Sequence, residues 1–381
     1  MATKTDAGLR VGRDQVLRYR VHAQQLDRAT RADRPADRAA ILDLGVQDTG
    51  PDGALWALAV RGVPVTAHAW PHALALAWTL RGAPHAYRRA DLKAVERAVR
   101  PYSETDAAKR VINASRPLKA AGIPVTDALA EVARTMHGVV AEPVGKGALS
   151  TRMTAEMPEP YVRWCEPCGA THMYEMTFRL AALHAGLELE PDTSPPVLRP
   201  IPRWPANQVG DLRPSPDDGP FDLVRGTLHL LGPLDQKQVA TFLDAPLRDV
   251  KARWPSDAVP VEVDGVAASF LEPDLPALEA AAEPPAEPQV RLLGPYDLFL
   301  QGRDRDVIVP DRSRHKGLWP TLGRPGAVLC GSELIGTWRP RAKGTRLALE
   351  LDEWVPWDAA TRAAVDHEHE RLARFRGVTP A

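Results

Sequence analysis

The sequence predicts an α+β chain: groups of short helices, each closed by a small β-hairpin, then a strand-rich C-terminal section. Three observations carry this. Helical spacing of apolar residues dominates up to about residue 270, interrupted by strand-turn-strand stretches such as 261–266. Beyond Val290 the apolar runs shorten to strand length. The 37 prolines, against 6 tyrosines and 6 phenylalanines, cut the 381 residues into short elements joined by stiff turns. Helices followed by a hairpin, repeated, is the order of tandem winged-helix (helix-turn-helix) domains, here with a C-terminal β-rich domain.

In chain order, residues 12–30 read as a helix with Val16, Leu17, Tyr19, Val21, Ala23 and Leu26 mostly on one side. Residues 37–46 and 53–62 read as two more, and 73–80 is an apolar run. Residues 81–89 read as two short strands about Gly82-Ala83-Pro84, and 90–99 returns to helix. These elements make a first winged-helix domain, 1–104. A second, 105–190, holds helices at 106–121 and 126–138, a turn at 143–150 opening another, and a closing helix up to Gly186. A Pro-rich linker, 191–216, is stiff rather than floppy. The third winged-helix domain, 217–288, has a helix at 221–231, a short one that opens within 232–238 and ends near Leu243, and another at 247–254, then a hairpin about Asp264-Gly265. Its end, 274–288, reads as a linker rich in Pro, Ala and Glu. The last domain, 289–381, has strands near 292–300, 327–330, 334–339 and 347–351 and a closing helix at 359–377.

Composition excludes several classes. A net charge of -1 means that any nucleic-acid surface must gather its cations on one face. No run approaches the roughly 20 apolar residues of a membrane span, and Met1–Asp6 lacks the apolar core of a secretory signal. Three cysteines make no disulfide framework, so a cytoplasmic protein is expected. Neither a Gly-rich phosphate loop nor a Gly-x-Ser-x-Gly elbow occurs, which argues against nucleotide hydrolysis and the commonest serine hydrolases.

The stretch 41–49, Ile-Leu-Asp-Leu-Gly-Val-Gln-Asp-Thr, stands out. Gly45 reads plainly as a helix end, with Asp48-Thr49 opening a turn. Yet Gln47, Asp48 and Thr49 set an amide, a carboxylate and a hydroxyl side by side, groups able to position a water. Arg81, Arg88 and Arg89 lie on the first hairpin, where a wing follows a nucleic-acid backbone. Lys146 opens a helix, where phosphate would meet a helix N-terminus. Cys165, Cys168 and His172 have the spacing of three ligands of a tetrahedral zinc site. A fourth is missing nearby, so no metal is expected. Arg225–His229 in a helix and the solvated His367-Glu368-His369-Glu370 read as structural or surface features, while the basic run Arg312–Lys316 reads equally as a surface loop or as a holder of backbone phosphates. The ten tryptophans are widely spaced and read as packing residues.

The wording of several pieces, in order along nearly the whole chain, resembles the winged-helix DNA glycosylases of the AlkZ/YcaQ type. The pieces are Leu44-Gly45-Val46-Gln47-Asp48, Arg81-Gly82-Ala83-Pro84-His85, Leu231-Gly232-Pro233, the segment 292–304, and Ile335-Gly336-Thr337-Trp338-Arg339. The resemblance implies a concave surface of tandem winged helices on duplex DNA and monofunctional excision of bulky N-alkylated or crosslinked bases. It implies no metal or other cofactor, and a monomer with no membrane partner is expected. It assigns Gln47 the role of holding the attacking water. The family motif is Gln, an apolar residue, then Gln; here Asp48 replaces the apolar residue and Thr49 the second Gln. Asp48 or His85 is expected to take over the missing part, with Arg81, Arg88, Arg89, Lys146 and Arg303 contacting DNA. The alternative is a winged-helix regulatory protein that binds DNA without cutting the glycosidic bond.

Overall fold

The computed structural model describes residues 9–50, 52–214 and 221–381. The opening stretch 1–6 and the end of the Pro-rich linker lie outside the described residues. The fold is mixed α+β, and the chain divides into two compact units. The first comprises 1–71, 224–242 and 253–381, and the second 72–223 and 243–252, so each is assembled from remote stretches. No helix among the described residues is long and apolar enough to cross a membrane.

In the first unit, Leu9–Val11 pairs in parallel with Ala258–Val263, which pairs antiparallel with Val266–Leu271. Asp264 and Gly265 both take positive φ (46° and 83°), the turn that matches strand twist in a two-residue hairpin. The helix Arg13–Ala23 lays Val16 and Tyr19 on this sheet against Phe270 and Leu278. Leu278 belongs to a helix, Leu275–Ala280, inside the stretch expected to be a linker. Its alternating Leu and Ala residues bury against the first helix and sheet, which is why it folds.

A second sheet of this unit runs Val290–Leu293, Gly326–Cys330, Glu333–Lys343, Arg346–Glu353, Thr379–Pro380. Trp338, 1% exposed, donates from Nε1 to the Leu293 carbonyl at 2.9 Å. Gly326 is required beside it, since a Cβ there would lie 2.3 Å from that nitrogen. The helix Ala359–Phe375 packs on the Val290–Leu293 edge, with Val365, Leu372 and Phe375 among its buried residues. Leu298–Gln301, within the strand expected near 292–300, is instead a 3-10 turn capped by the Asp297 carboxylate.

The second unit contains an antiparallel sheet in the order Pro84–Arg88, Leu74–Trp78, Leu187–Leu189, Val197–Pro200, Val144–Gly145. The first hairpin therefore uses the apolar run at 74–78 as one strand, not two strands within 81–89. Leu80–Gly82 forms the tight 3-10 connection. Helices Val125–Val139 and Glu175–His184 pack together. Beneath them Glu96, fully buried, accepts from Arg100 at 2.8 and 2.9 Å and from Gln208 at 2.6 Å, and meets His184 at 2.7 Å.

Candidate active site

The stretch 37–46 does not form the expected helix. Two 3-10 turns, Ala36–Arg38 and Ala40–Asp43, are separated by Ala39 in extended conformation (ψ 126°). Gly45 then takes φ 82°, and the chain enters the strand Val46–Gln47. In extended backbone, alternate residues share a side. Gln47 and Thr49 fall on one side, and the Gln47 amide Nε2 donates to Thr49 Oγ1 at 3.0 Å. Asp48 faces the helix Gly53–Ala59, where its Oδ1 accepts the amide of Ala54 at 2.8 Å. That carboxylate satisfies a first-turn N–H, the function of a helix cap. It also sits so close that a Cβ on Gly53 would lie 1.9 Å from it.

Gln47 and Thr49 line a small cleft with Asp52, Gly53, Ala57 and the loop Gly294–Asp297. Both carboxylates of this lining are in ion pairs. Asp52 Oδ1 accepts from Arg376 Nε at 2.6 Å, with a second contact from the same guanidinium. Asp297 is gripped by Arg61 in a two-pronged pair at 2.7 and 2.8 Å, both side chains fully buried. Arg61 also donates to the Ala57 carbonyl at 2.8 Å and to Gln24 Oε1 at 3.1 Å. Asp297 in turn caps Phe299 N at 3.0 Å. One wall of the cleft is thus tied to the other through a buried charge pair, whose one-sided removal costs about 3–5 kcal/mol. Trp56 adds a bond from Nε1 to the Leu292 carbonyl at 2.7 Å and packs against Phe375.

In the second unit, Arg81 adopts φ 57° at the hairpin connection. His85 is 2% exposed, and its Nδ1 lies 3.1 Å from Thr79 Oγ1 and 3.0 Å from the Ala83 carbonyl. Burial, with the nearby Arg81 charge, lowers its pKa to about 3. The imidazole is therefore held neutral at physiological pH in this environment.

Residues 41–375 match the family described as DNA glycosylase AlkZ-like. The chain belongs to the AlkZ-like DNA glycosylase family. Its fold is similar to the solved structure of Streptomyces sahachiroi DNA glycosylase AlkZ, with TM-score 0.69 and 19% identity over 98% of each chain. No curated protein sequence matches it.

Within this AlkZ-like fold the cations expected at DNA have partners in the chain. Arg89 donates to the carbonyls of His72 and Leu74 (3.0 and 2.8 Å) and pairs with Glu188 at 2.7 Å, fastening its own hairpin. Lys146 opens the helix Lys146–Glu156, but its Nζ meets Glu175 Oε1 at 2.6 Å. Arg88 lies 3.4 Å from Asp91. Arg303 is half-buried in a first-unit groove that it shares with Arg13, Arg305, Arg312, Asp264 and Asp306. Cys165, Cys168 and His172 come together, with one ligand atom of each within 4.8 Å of the others.

Sequence reasoning missed Arg61, Asp297, Asp52 and Arg376. One signal was present: Arg61 and Asp297 each stand inside an apolar run, where a charge needs a partner. Gly226, in the stretch read as coincidence, has a packing role. A Cβ there would lie 3.2 Å from the Asp43 carbonyl and 3.1 Å from Leu44, so it lets the helix Leu223–Leu231 approach the run that leads to Gln47.

Proposed function

We propose that the protein is a monofunctional DNA glycosylase that excises bulky N-alkylated or crosslinked bases from duplex DNA. The observation that carries this reading is the neutral Gln47–Thr49 pair lining the cleft of a chain that belongs to the AlkZ-like family. In the proposed reaction the water oxygen bonds to C1′ while the N-glycosidic bond breaks and its electron pair leaves with the base. The Gln47 carbonyl accepts a hydrogen bond from that water, and Thr49 holds the Gln47 amide in place. The water's proton passes to solvent. An amide and a hydroxyl polarise water but supply no proton to a leaving group. That suits a purine alkylated at N7, which is cationic and departs neutral. Asp48 supports the site by capping the helix Gly53–Ala59 and setting the path of its neighbours. His85 acts as a neutral hydrogen-bonding group of the hairpin.

The proposed scaffold is a set of tandem winged helices. The order of helices Leu223–Leu231, Gln236–Leu243 and Leu247–Ala252 followed by the hairpin Ala258–Leu271 supports it. Arg81, Arg88, Arg89, Lys146 and Arg303 would contact phosphates, and in doing so would exchange partners that they now have within the chain. The protein would act as a monomer in the cytoplasm.

The test is base release from duplex DNA carrying an N7-alkylguanine or a crosslink, with wild type and Gln47→Ala side by side. Release by wild type and its loss in the variant, with binding retained, supports the reading. Binding without release by either protein favours a DNA-binding protein that has lost the chemistry. Binding is compared at several salt concentrations, because phosphate contacts weaken steeply with salt.

A further inference from the structure

We propose that Cys165, Cys168 and His172 bind a zinc ion at the tip of the hairpin formed by Val162–Cys165 and Ala170–Met173, with water in the fourth position. The three ligand atoms lie within 4.8 Å of one another, a spacing that one tetrahedral ion spans after small side-chain rotations. The arrangement follows from hairpin register. Cys165 pairs with Ala170 and Arg163 with His172, so Cys165 and His172 are diagonal neighbours on one face of the two strands. Cys168 arrives through the 3-10 turn Glu166–Cys168, which Gly169 closes in the left-handed region at φ 59°. This turn folds Cys168 back over the hairpin, so that its sulfur joins that of Cys165 and the His172 ring.

The imidazole is oriented by a second group. His172 Nδ1 donates to the Met173 carbonyl at 2.7 Å, which fixes the tautomer and leaves Nε2 with a lone pair for a metal. Two thiolates and an imidazole are a soft donor set that selects zinc over magnesium or calcium. On binding, each thiol gives its proton to solvent and no electrons are transferred.

The hairpin also needs what an ion would supply. Its strands have four residues each, and Glu166, Pro167, Cys168, Gly169, Ala170 and Thr171 are all exposed. Met173 and Cys165 are buried and the second strand packs on the helix Lys146–Glu156, so it is the exposed turn that lacks apolar cover. An ion joining the turn to the second strand would take the place of that cover. It would hold Trp164, 56% exposed, on a stiff projection. Among the described residues no fourth His, Cys, Asp or Glu joins the group, so the remaining position falls to solvent.

The experiment uses the full-length chain, purified reduced, loaded with zinc and dialysed, with metal measured by mass spectrometry. Cobalt(II) serves as the spectroscopic probe. Wild type should retain one zinc per chain, and its cobalt form should show thiolate-to-metal charge transfer with a tetrahedral ligand-field spectrum. Cys168→Ser should weaken zinc binding by more than about tenfold, with the far-ultraviolet circular dichroism unchanged, because Cys168 is exposed and makes no core contact. His172→Ala should alter the ligand-field bands. Cys330→Ser, in the first unit, should change nothing. Zinc binding no tighter in wild type than in Cys168→Ser, or cobalt bands untouched by His172→Ala, would overturn the proposal. So would a Cys165–Cys168 disulfide that forms equally fast with and without zinc.

Discussion

Gln47 and Thr49 occupy the same side of one extended segment, amide to hydroxyl at 3.0 Å, while Asp48 between them turns to the start of the neighbouring helix. The three residues therefore have different tasks, and substitutions should separate them. Gln47→Ala removes the group proposed to orient water and should lower the rate of base release by about 10²-fold or more, the scale of losing one preorganised polar group in a reaction site. Thr49→Ala removes only the anchor of the Gln47 amide. A hydrogen bond of that kind is worth about 1 kcal/mol, so roughly a fivefold loss is expected. Single-turnover rates at saturating enzyme, with affinity measured separately, decide this. Equal losses in the two variants would mean that Thr49 contacts the water itself.

The buried Arg61–Asp297 pair holds the loop Gly294–Asp297 against the helix Gly53–Ala59. Asp297→Ala leaves the Arg61 guanidinium charged and enclosed, and should destabilise the first unit by about 3–5 kcal/mol. Replacing both residues with apolar side chains of similar volume should recover much of that loss. Denaturant midpoints of the two variants measure it. A loss below about 1 kcal/mol in Asp297→Ala, the scale of an exposed pair, would show that the pair contributes little.

Histidine 85 predicts an acid limb in stability. Burial, then the Arg81 charge, lowers its folded pKa from 6.5 to about 3. Between those values the unfolded chain binds the proton and the folded chain does not. The stability contributed by neutral His85 is therefore complete above about pH 6.5 and is lost as pH falls towards about 3. Thermal midpoints measured across that range should fall less steeply in His85→Gln. His229 has the opposite sign. Its hydrogen bond to Asp274, at 2.8 Å, raises its pKa despite burial. Its contribution is present below about pH 6.5 and is lost as pH rises through the raised folded value. His229→Gln should flatten the alkaline side of the profile.

These anchors also show where the sequence was readable. The hairpin at Asp264-Gly265 was legible because a positive-φ pair between two apolar runs has one common use. The side of Gln47 was not. Ala39, Ile41, Leu42 and Leu44 have spacing compatible with a helix, and what breaks it is the extended Ala39 and the left-handed Gly45. Tertiary packing overrides local preference there. The pairs that shape the cleft join residues 236 positions apart, Arg61 with Asp297, and 324 apart, Arg376 with Asp52. Lone charges in apolar runs announce that a partner exists but not which one. The linker expected at 274–288 failed for a related reason. Its Ala and Glu content looked solvated, whereas the position of Leu278 buries it in the core.

Asp48 offers the sharpest division between positioning and chemistry. Its carboxylate accepts the Ala54 amide at 2.8 Å, and asparagine can accept the same bond, since Asn and Asp are equivalent helix caps. Asp48→Asn should therefore keep both the fold and base release within about twofold, because caps of either type differ by only tenths of a kcal/mol. Asp48→Ala loses the cap and should cost about 1 kcal/mol of stability, with a drop in base release that follows the displaced segment. Gly53→Ala should reproduce that drop by a separate route, because its Cβ would collide with the Asp48 carboxylate and φ there is 43°. Measured together, the three variants give a clear pattern if Asp48 is a positioning residue: Asn active, Ala and Gly53→Ala impaired in parallel. Loss of release in Asp48→Asn with an unchanged melting temperature would instead require the negative charge itself, and would move Asp48 from the helix cap into the stabilisation of the oxocarbenium-like sugar.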